Sequence, residues 1–252
     1  MISIDLNGKI AIVTGATGEL GRTMVRTFAR AGADVAVHYN HSREKADLLV
    51  QELKDMGRSC LAVQADITQK ESIDRMQQAV ETELGSPDII VNNAVIQYDW
   101  TTVLEQPEAD YESQFRSCVL QNVLMAQAFV PAMKEKQWGR VIGINTECAM
   151  QYWEKQSAYI SGKRGADGVL RVLAREVGGY GITVNQIAPG WTVSENRPES
   201  DNTKWYREKV PLKRRGTDQE IANAVVFLAS DLASFITGAY IPVCGGNVMP
   251  AI

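Results

Sequence analysis

The sequence predicts an α/β fold, a doubly wound parallel sheet with helices on both faces, in a single domain over residues 1–252. Three observations lead there. Short apolar runs alternate with longer segments of helical periodicity along the chain. The short runs are apolar on both faces, as strands are when helices cover the sheet from either side. The first run passes through a glycine-rich turn directly into a helical segment. Right-handed crossovers then wind such a sheet in both directions.

The elements follow in order. Residues 9–14 (KIAIVT) form a β-rich run that stops at Gly15. Residues 19–31 have helical spacing, closed by Gly32. Residues 34–39 (DVAVHY) are a second strand, and 43–56 a helix ended by Gly57. Strands at 60–64 and 88–91 flank a helix at 70–84. Residues 139–145 (GRVIGIN) and 182–187 are further strands, with an apolar-periodic helix at 159–177 between them. A helix at 218–230 and a strand at 239–243 complete the pattern. Residues 194–215 depart from it, being polar, charged and punctuated by Pro198 and Pro211. A long polar insert in a compact domain reads as a substrate lid; the alternative is a solvated surface loop.

Composition narrows the function. A chain of 252 residues, 45% of them hydrophobic, can build one large core. The net charge of −4 and pI near 5.4 argue against a nucleic-acid or membrane-surface partner, which calls for a basic patch. No apolar run reaches the roughly 18 residues that span a bilayer. The first nine residues lack the basic and apolar regions of a secretion signal. Cys60, Cys118, Cys148 and Cys244 are scattered and form no CxxC pair, so neither a metal site nor a disulfide framework is expected. A cytoplasmic protein with free thiols is expected.

The turn Thr14-Gly15-Ala16-Thr17-Gly18-Glu19-Leu20-Gly21 lies between the first strand and the first helix. Glycines there let the backbone approach a pyrophosphate, and the helix N-terminus supplies free N–H groups and positive potential. The turn therefore predicts a dinucleotide site. Glu19 is a carboxylate close to where the phosphates would lie. As a first-turn acid it also suits the helix dipole, and its side chain is expected to point away from them. Cofactor choice rests on the end of the second strand, where NAD sites place an acid on the ribose 2′-OH. Here Tyr39 stands there, followed by Asn40, His41, Ser42 and Arg43. No acid repels a 2′-phosphate, and Asn, Ser and Arg can donate to one, which favours NADP over NAD. The alternative is that these residues cap the next helix.

Tyr159 and Lys163 are four residues apart, on one face of a helix. A phenol is a poor acid or base at neutral pH, and a nearby ammonium together with an oxidised nicotinamide would stabilise its phenolate. Thr146 ends the apolar run 141–144, thirteen residues before Tyr159. Its hydroxyl would emerge at the carboxyl edge of the sheet, where doubly wound folds bind ligands, and could donate to a substrate oxygen.

On these motifs, together with Asp66-Ile67, Asn92-Asn93-Ala94, Asn185, Pro189-Gly190 and the tail Ile236-Thr237-Gly238…Gly245-Gly246, the chain resembles the short-chain dehydrogenase/reductase family over nearly its whole length, and within it the β-ketoacyl-carrier-protein-reductase-like subgroup. The resemblance implies a Rossmann-like fold and an oxidoreductase that moves a hydride between NADP(H) and a ketone/secondary-alcohol pair. It implies Tyr159 as proton donor, Thr146 as its partner and Lys163 as the tuning group that also holds the nicotinamide ribose. Asp66 and Ile67 would hold the adenine, Asn93 and Ala94 the adenosine half, and Pro189, Gly190 and Thr192 the nicotinamide side. The family is commonly tetrameric, which implies a homotetramer or homodimer paired through helices around 105–133 and 157–178.

The chain departs from the family pattern at several places. The usual catalytic Ser is Thr146, and Glu19 replaces the middle glycine of the fingerprint. Cys118 stands where the family has an Asn that anchors a water beside the lysine; Asn122, one turn further on, could compensate. Cys244 stands where an Asp is usual.

Gln97, Tyr98, Glu147, Trp153 and Trp191 flank the motifs and are expected to line the substrate pocket, together with Cys148 and Ser194. Aromatic walls with a few polar groups suit a mid-sized, partly polar carbonyl compound. Glu147 could grip a hydroxyl or amine, or be a solvated acid, and either Trp could pack elsewhere. Nothing in the sequence selects among acyl thioesters, sugars, polyols and hydrophobic ketones, and no basic patch marks a carrier-protein partner. Two other readings stay open. One is a dinucleotide-binding protein without efficient chemistry, which Cys118 and Glu19 would favour. The other is an epimerase or dehydratase, which the short carboxyl end disfavours.

Overall fold

The structure, a computed structural model, describes residues 3–249. Seven parallel strands form the sheet: β1 (Ile10–Val13), β2 (Asp34–Tyr39), β3 (Cys60–Gln64), β4 (Ile89–Asn92), β5 (Gly139–Ile144), β6 (Ile182–Pro189) and, last in the chain, β9 (Tyr240–Val243). Their order is β3-β2-β1-β4-β5-β6-β9. The direction of winding reverses between β1 and β4, so the helices that follow these strands go to opposite faces and leave a crevice at the carboxyl edge. Register aligns that edge, with Val13 opposite both Val37 and Val91.

The doubly buried strands are the predicted ones: every residue of β5 and β6 is buried. Neighbours on β1 show why the runs must be apolar throughout. Val13 packs into the layer beneath α1 (Glu19–Arg30), α2 (Arg43–Asp55) and α9 (Asp218–Ala229). Ile12, pointing the other way, packs with α3 (Lys70–Glu83), α5 (Gln121–Lys136) and α7 (Ser157–Val177). Each such side chain contributes about 1.5–3 kcal/mol on burial. α9 starts on a capping box in which Thr217 and Glu220 satisfy one another's backbone N–H groups.

Three departures from the sequence pattern bear on the site. β6 runs two residues beyond its predicted end, to Pro189, whose carbonyl accepts the Glu147 N–H at 3.0 Å. The helix before β5 is interrupted: α4 (Glu108–Gln114) passes into a π-helical turn at Phe115–Leu120 before α5 resumes. Finally, residues 194–215 are not a bare loop. They rise from a two-stranded stem, β7 (Thr192–Val193) beside β8 (Gly216–Thr217), and carry the short helix α8 (Lys204–Lys209). Tyr206 of α8 is only 2% exposed, so the segment packs onto the sheet edge.

Candidate active site

The site starts at the glycine turn. Gly15 has φ +63, and a Cβ there would lie 3.0 Å from Ala94 Cα. A Cβ on Gly21 would lie 2.2 Å from the Gly15 carbonyl oxygen. These two glycines allow the turn to fold flat against β4 and α1. Gly18, at the N-cap of α1, brings no side chain to the first-turn N–H groups, which are left for a ligand. A cradle that side chains would fill, at a bare helix N-terminus, fits a dinucleotide pyrophosphate. The Thr14 hydroxyl donates to Gln121 Oε1 at 2.6 Å and accepts the N–H groups of Asn93 and Ala94 at 2.9 and 3.0 Å. Asn93 Nδ2 donates to the carbonyls of Thr14 and Gly15 at 2.8 and 3.2 Å, so its side chain holds the turn itself.

His38 lies beneath the turn and escaped the sequence reading. Its Nδ1 accepts the Gly15 N–H at 2.9 Å, which leaves Nε2 to donate to the Ala65 carbonyl at 2.9 Å. Only the neutral ring can do both. Burial pushes its pKa down to about 4 from the usual 6.5. The unfolded chain therefore takes up this proton first as pH falls, and the stability that His38 contributes is lost between about pH 6.5 and about pH 4. The expected loss is on the order of 3 kcal/mol. Thermal midpoints at pH 7 and pH 4.5 for the wild type and His38→Asn should differ less in the variant; parallel losses would refute it.

At the end of β2, Tyr39 is buried, whereas Asn40 and His41 are exposed. Ser42 precedes α2 without capping it, so capping does not explain its presence. Arg43 pairs with Asp47 one turn along its own helix at 3.0 Å, with both side chains exposed. Such a pair is worth about 0.3–0.5 kcal/mol and yields to a phosphate. After β3, Asp66 Oδ1 accepts from the Thr68 N–H and hydroxyl at 2.9 and 2.7 Å, shaping the turn that carries the buried Ile67.

Glu19, expected to point away from the phosphates, reaches the 194–197 segment. It accepts from Ser194, from Asn196 at 3.0 Å and from Arg22. Burial opposes its charge, but these hydrogen bonds outweigh it and hold the carboxyl at about 2. Glu195 adds pairs to Arg22 and Arg26 at 3.2 and 3.1 Å.

Across the crevice, α7 presents Tyr159 and Lys163 together, the Lys163 Nζ lying 5.7 Å from the Tyr159 ring centre. Lys163 is 5% exposed, donates to the Ile144 carbonyl at 2.6 Å, and has its pKa lowered by burial. The Tyr159 pKa is raised, and burial is the largest cause. In the protein alone burial sets the direction; the lowering expected from the sequence combines the ammonium with the charge of an oxidised nicotinamide. Tyr159 is third in α7, and its N–H, free of the helix ladder, donates to the Tyr98 hydroxyl at 2.7 Å. Thr146 is fixed by a bond from its N–H to Asn145 Oδ1 at 2.9 Å, while its carbonyl accepts from Tyr240 at 2.6 Å.

The π turn packs against α7 where α7 is bare. A Cβ on Gly162 would lie 2.9 Å from the Gln114 carbonyl, and one on Gly165 2.7 Å from Val119. Cys118 is buried, and its carbonyl accepts from Asn122 Nδ2 at 2.6 Å; Asn122 Oδ1 accepts from Asn92 at 2.7 Å. Asn122 and Cys118 line one small cavity of about 10 Å³ with Lys163. Asn122 brings the stronger hydrogen-bonding group to it.

A second cavity, of about 180 Å³, opens above Tyr159 and Thr146. Gln97, Tyr98 and Trp191 line it, as expected, as does Cys148, with Pro189 and Gly190 at its base. Trp100, which the sequence did not single out, stacks on Tyr159 at 5.9 Å. Three expectations are corrected. Ser194 donates to the Glu19 carboxylate and is not part of the cavity wall. Glu147 is fully buried behind Thr146, because consecutive side chains leave the strand end in different directions, and it is neither a wall residue nor a solvated acid. Trp153 packs on Trp205 of α8 at 5.0 Å and is not part of the cavity wall.

A family model described as enoyl-(acyl carrier protein) reductase matches residues 15–247. The chain is 35% identical over 243 residues to the 3-oxoacyl-[acyl-carrier-protein] reductase FabG of Staphylococcus epidermidis, covering 96% of this chain and 99% of that one. It is 32% identical over 249 residues to FabG of Pseudomonas aeruginosa, covering 98% and 100%. Among solved structures, a blue fluorescent protein from a metagenomic library in complex with NADPH superposes with TM-score 0.90 at 32% identity, covering 97% of this chain and all of that one. A doubly substituted short-chain dehydrogenase/reductase of Serratia marcescens gives TM-score 0.90 at 28% identity, covering 96% and 98%. Fold, glycine cradle, paired Tyr159 and Lys163, and these likenesses agree: the chain belongs to the short-chain dehydrogenase/reductase family.

Proposed function

We propose that this protein is an NADP-dependent oxidoreductase that interconverts a ketone and its secondary alcohol in the cavity above Tyr159. The observation that carries the reading is the placement of Tyr159 and Lys163 on one face of α7, with the ammonium 5.7 Å from the phenol ring and Tyr159 and Thr146 lining one cavity. The residues that would hold the dinucleotide are the Gly15–Gly21 turn for the pyrophosphate, Asp66, Ile67 and Ala94 around the adenosine, and Lys163, Pro189, Gly190 and Thr192 at the nicotinamide end. Asn40, Ser42 and Arg43 would meet the 2′-phosphate. When bound, the reduced nicotinamide supplies a hydride. The chain does the rest. Thr146 and Tyr159 converge on the carbonyl oxygen and polarise it, and Tyr159 gives that oxygen its proton as charge develops. Lys163 holds positive charge beside the phenol, which favours the phenolate left behind. The aromatic walls keep water from the reacting carbon.

Fluorescence titration with NADPH and NADH tests the cofactor assignment: NADPH should bind at least about tenfold more tightly, one charge-assisted contact's worth. Tighter NADH binding would overturn it. The exposed Phe115 and Val172, on the π turn and α7, favour assembly into a homodimer or homotetramer through that face, readable by sedimentation. A cytoplasmic location accords with the acidic, aromatic-lined enzyme; no described helix is long and apolar enough to cross a membrane.

A further inference from the structure

Glu147 follows Thr146 at the end of β5, yet none of its surface is exposed. The Tyr206 hydroxyl donates to its Oε1 at 2.8 Å, and Asn247 Nδ2 donates to its Oε2 at 3.0 Å. These donors come from α8 and from the turn after β9, two segments remote in sequence. Burial pushes the Glu147 pKa up, and both hydrogen bonds oppose that shift. A buried carboxylate met by neutral donors alone costs desolvation energy, so it stabilises little; what it fixes is geometry.

The bridge extends into the substrate cavity. The Tyr206 hydroxyl accepts the main-chain N–H of Trp191 at 2.9 Å, and the two rings stack at 5.3 Å with 17° between their planes. Gly190 makes room for it, since a Cβ there would lie 2.5 Å from the Tyr206 hydroxyl. Trp191 in turn forms the cavity wall facing Thr146 and Tyr159. Among the described residues, no Lys, Arg, Asp or Glu lines that cavity.

Building on the function proposed above, we propose that Glu147 is a positioning residue: through Tyr206 it fixes the Trp191 wall at a set distance from Thr146 and Tyr159, and so restricts the site to compact, uncharged ketones. With the bridge intact the wall is rigid and a bulky ketone is excluded. With it cut, the wall moves, compact ketones are held less well and bulky ones gain access.

The test compares cyclohexanone with benzophenone, using NADPH. Tyr206→Phe, which keeps the ring and removes the hydroxyl, should raise KM for cyclohexanone about tenfold, the scale of one hydrogen bond to a charged group, with kcat changed less than about threefold. The ratio of kcat/KM for benzophenone to that for cyclohexanone should rise about tenfold. Asn247→Ala should shift both in the same direction by a smaller factor. Should Tyr206→Phe fail to fold, Asn247→Ala and the pair Glu147→Ala and Glu147→Gln decide: Gln retains an acceptor for Tyr206 and should recover part of the KM increase seen with Ala. Unchanged KM and unchanged size preference in folded variants that melt at lower temperature would overturn the proposal and leave Glu147 a purely structural group. Calorimetric binding of the two ketones to the protein with NADP⁺ reads the same preference without turnover. A protein that binds cyclohexanone but reduces no ketone would thus defeat the oxidoreductase reading while the wall is still judged.

Discussion

Tyr159→Phe is expected to lower ketone reduction by about 10²–10⁴-fold in kcat, the range of a positioned general acid, while NADPH affinity changes little. Phenylalanine keeps the ring that stacks on Trp100 and removes only the phenolic oxygen. The raised pKa of the phenol adds a directional prediction. The acid form persists through neutral pH, so reduction should be nearly flat from about pH 6 to pH 8, whereas alcohol oxidation, which needs the phenolate, should rise with pH across the same interval. Stopped-flow absorbance at the nicotinamide band reads both. A Tyr159→Phe protein with wild-type turnover, or an oxidation rate indifferent to pH, would remove Tyr159 from the chemistry.

The second large effect belongs to Gly21. In Gly21→Ala the new methyl would sit 2.2 Å from the Gly15 carbonyl oxygen and 2.8 Å from Ala16 Cα, both main-chain atoms. The helix cannot retreat easily, because α1 packs on α9, where the Thr23 hydroxyl donates to Asp218 at 2.8 Å. Overpacking against backbone costs about 1–3 kcal/mol or more, and the turn that gives way is the pyrophosphate cradle. NADPH affinity should therefore fall by more than about tenfold, with a lower melting temperature. Gly168→Ala is the matched control. It lies within α7 with nothing within 4 Å, and should be neutral or stabilise by up to about 1 kcal/mol. Unaltered NADPH binding in Gly21→Ala would show that the cradle lies elsewhere.

What the sequence made legible were features with a fixed local period. Tyr159 and Lys163 four apart, strands apolar on both faces, and the glycines between β1 and α1 each require nothing beyond the neighbouring residues to be interpreted. What it concealed depends on contacts between distant segments. His38 reads as one more residue of an apolar strand until the Gly15 N–H and the Ala65 carbonyl are seen on its two nitrogens. Gln121 becomes part of the site only because the Thr14 hydroxyl reaches it across 107 positions. The π turn at Phe115–Leu120 has no periodicity of its own, and shows only in the fit against Gly162 and Gly165. Glu147 and Trp153 misled through proximity in sequence to Thr146. The direction in which a strand end projects its side chains, not the spacing from a catalytic residue, decides what lines a cavity. Spacing likewise predicts that an ammonium neighbours Tyr159, but not the burial that raises the pKa of the phenol in the protein alone.

The most direct measurement follows an isotope. NADPH carrying deuterium at C4 of the nicotinamide is mixed with the protein and a panel of compact ketones, and the alcohols are analysed by mass spectrometry. The account predicts one deuterium on the carbinol carbon of a product alcohol, at a rate that collapses in Tyr159→Phe. Tight binding of NADPH with no labelled alcohol from any ketone would contradict it and leave a dinucleotide-binding protein without hydride chemistry.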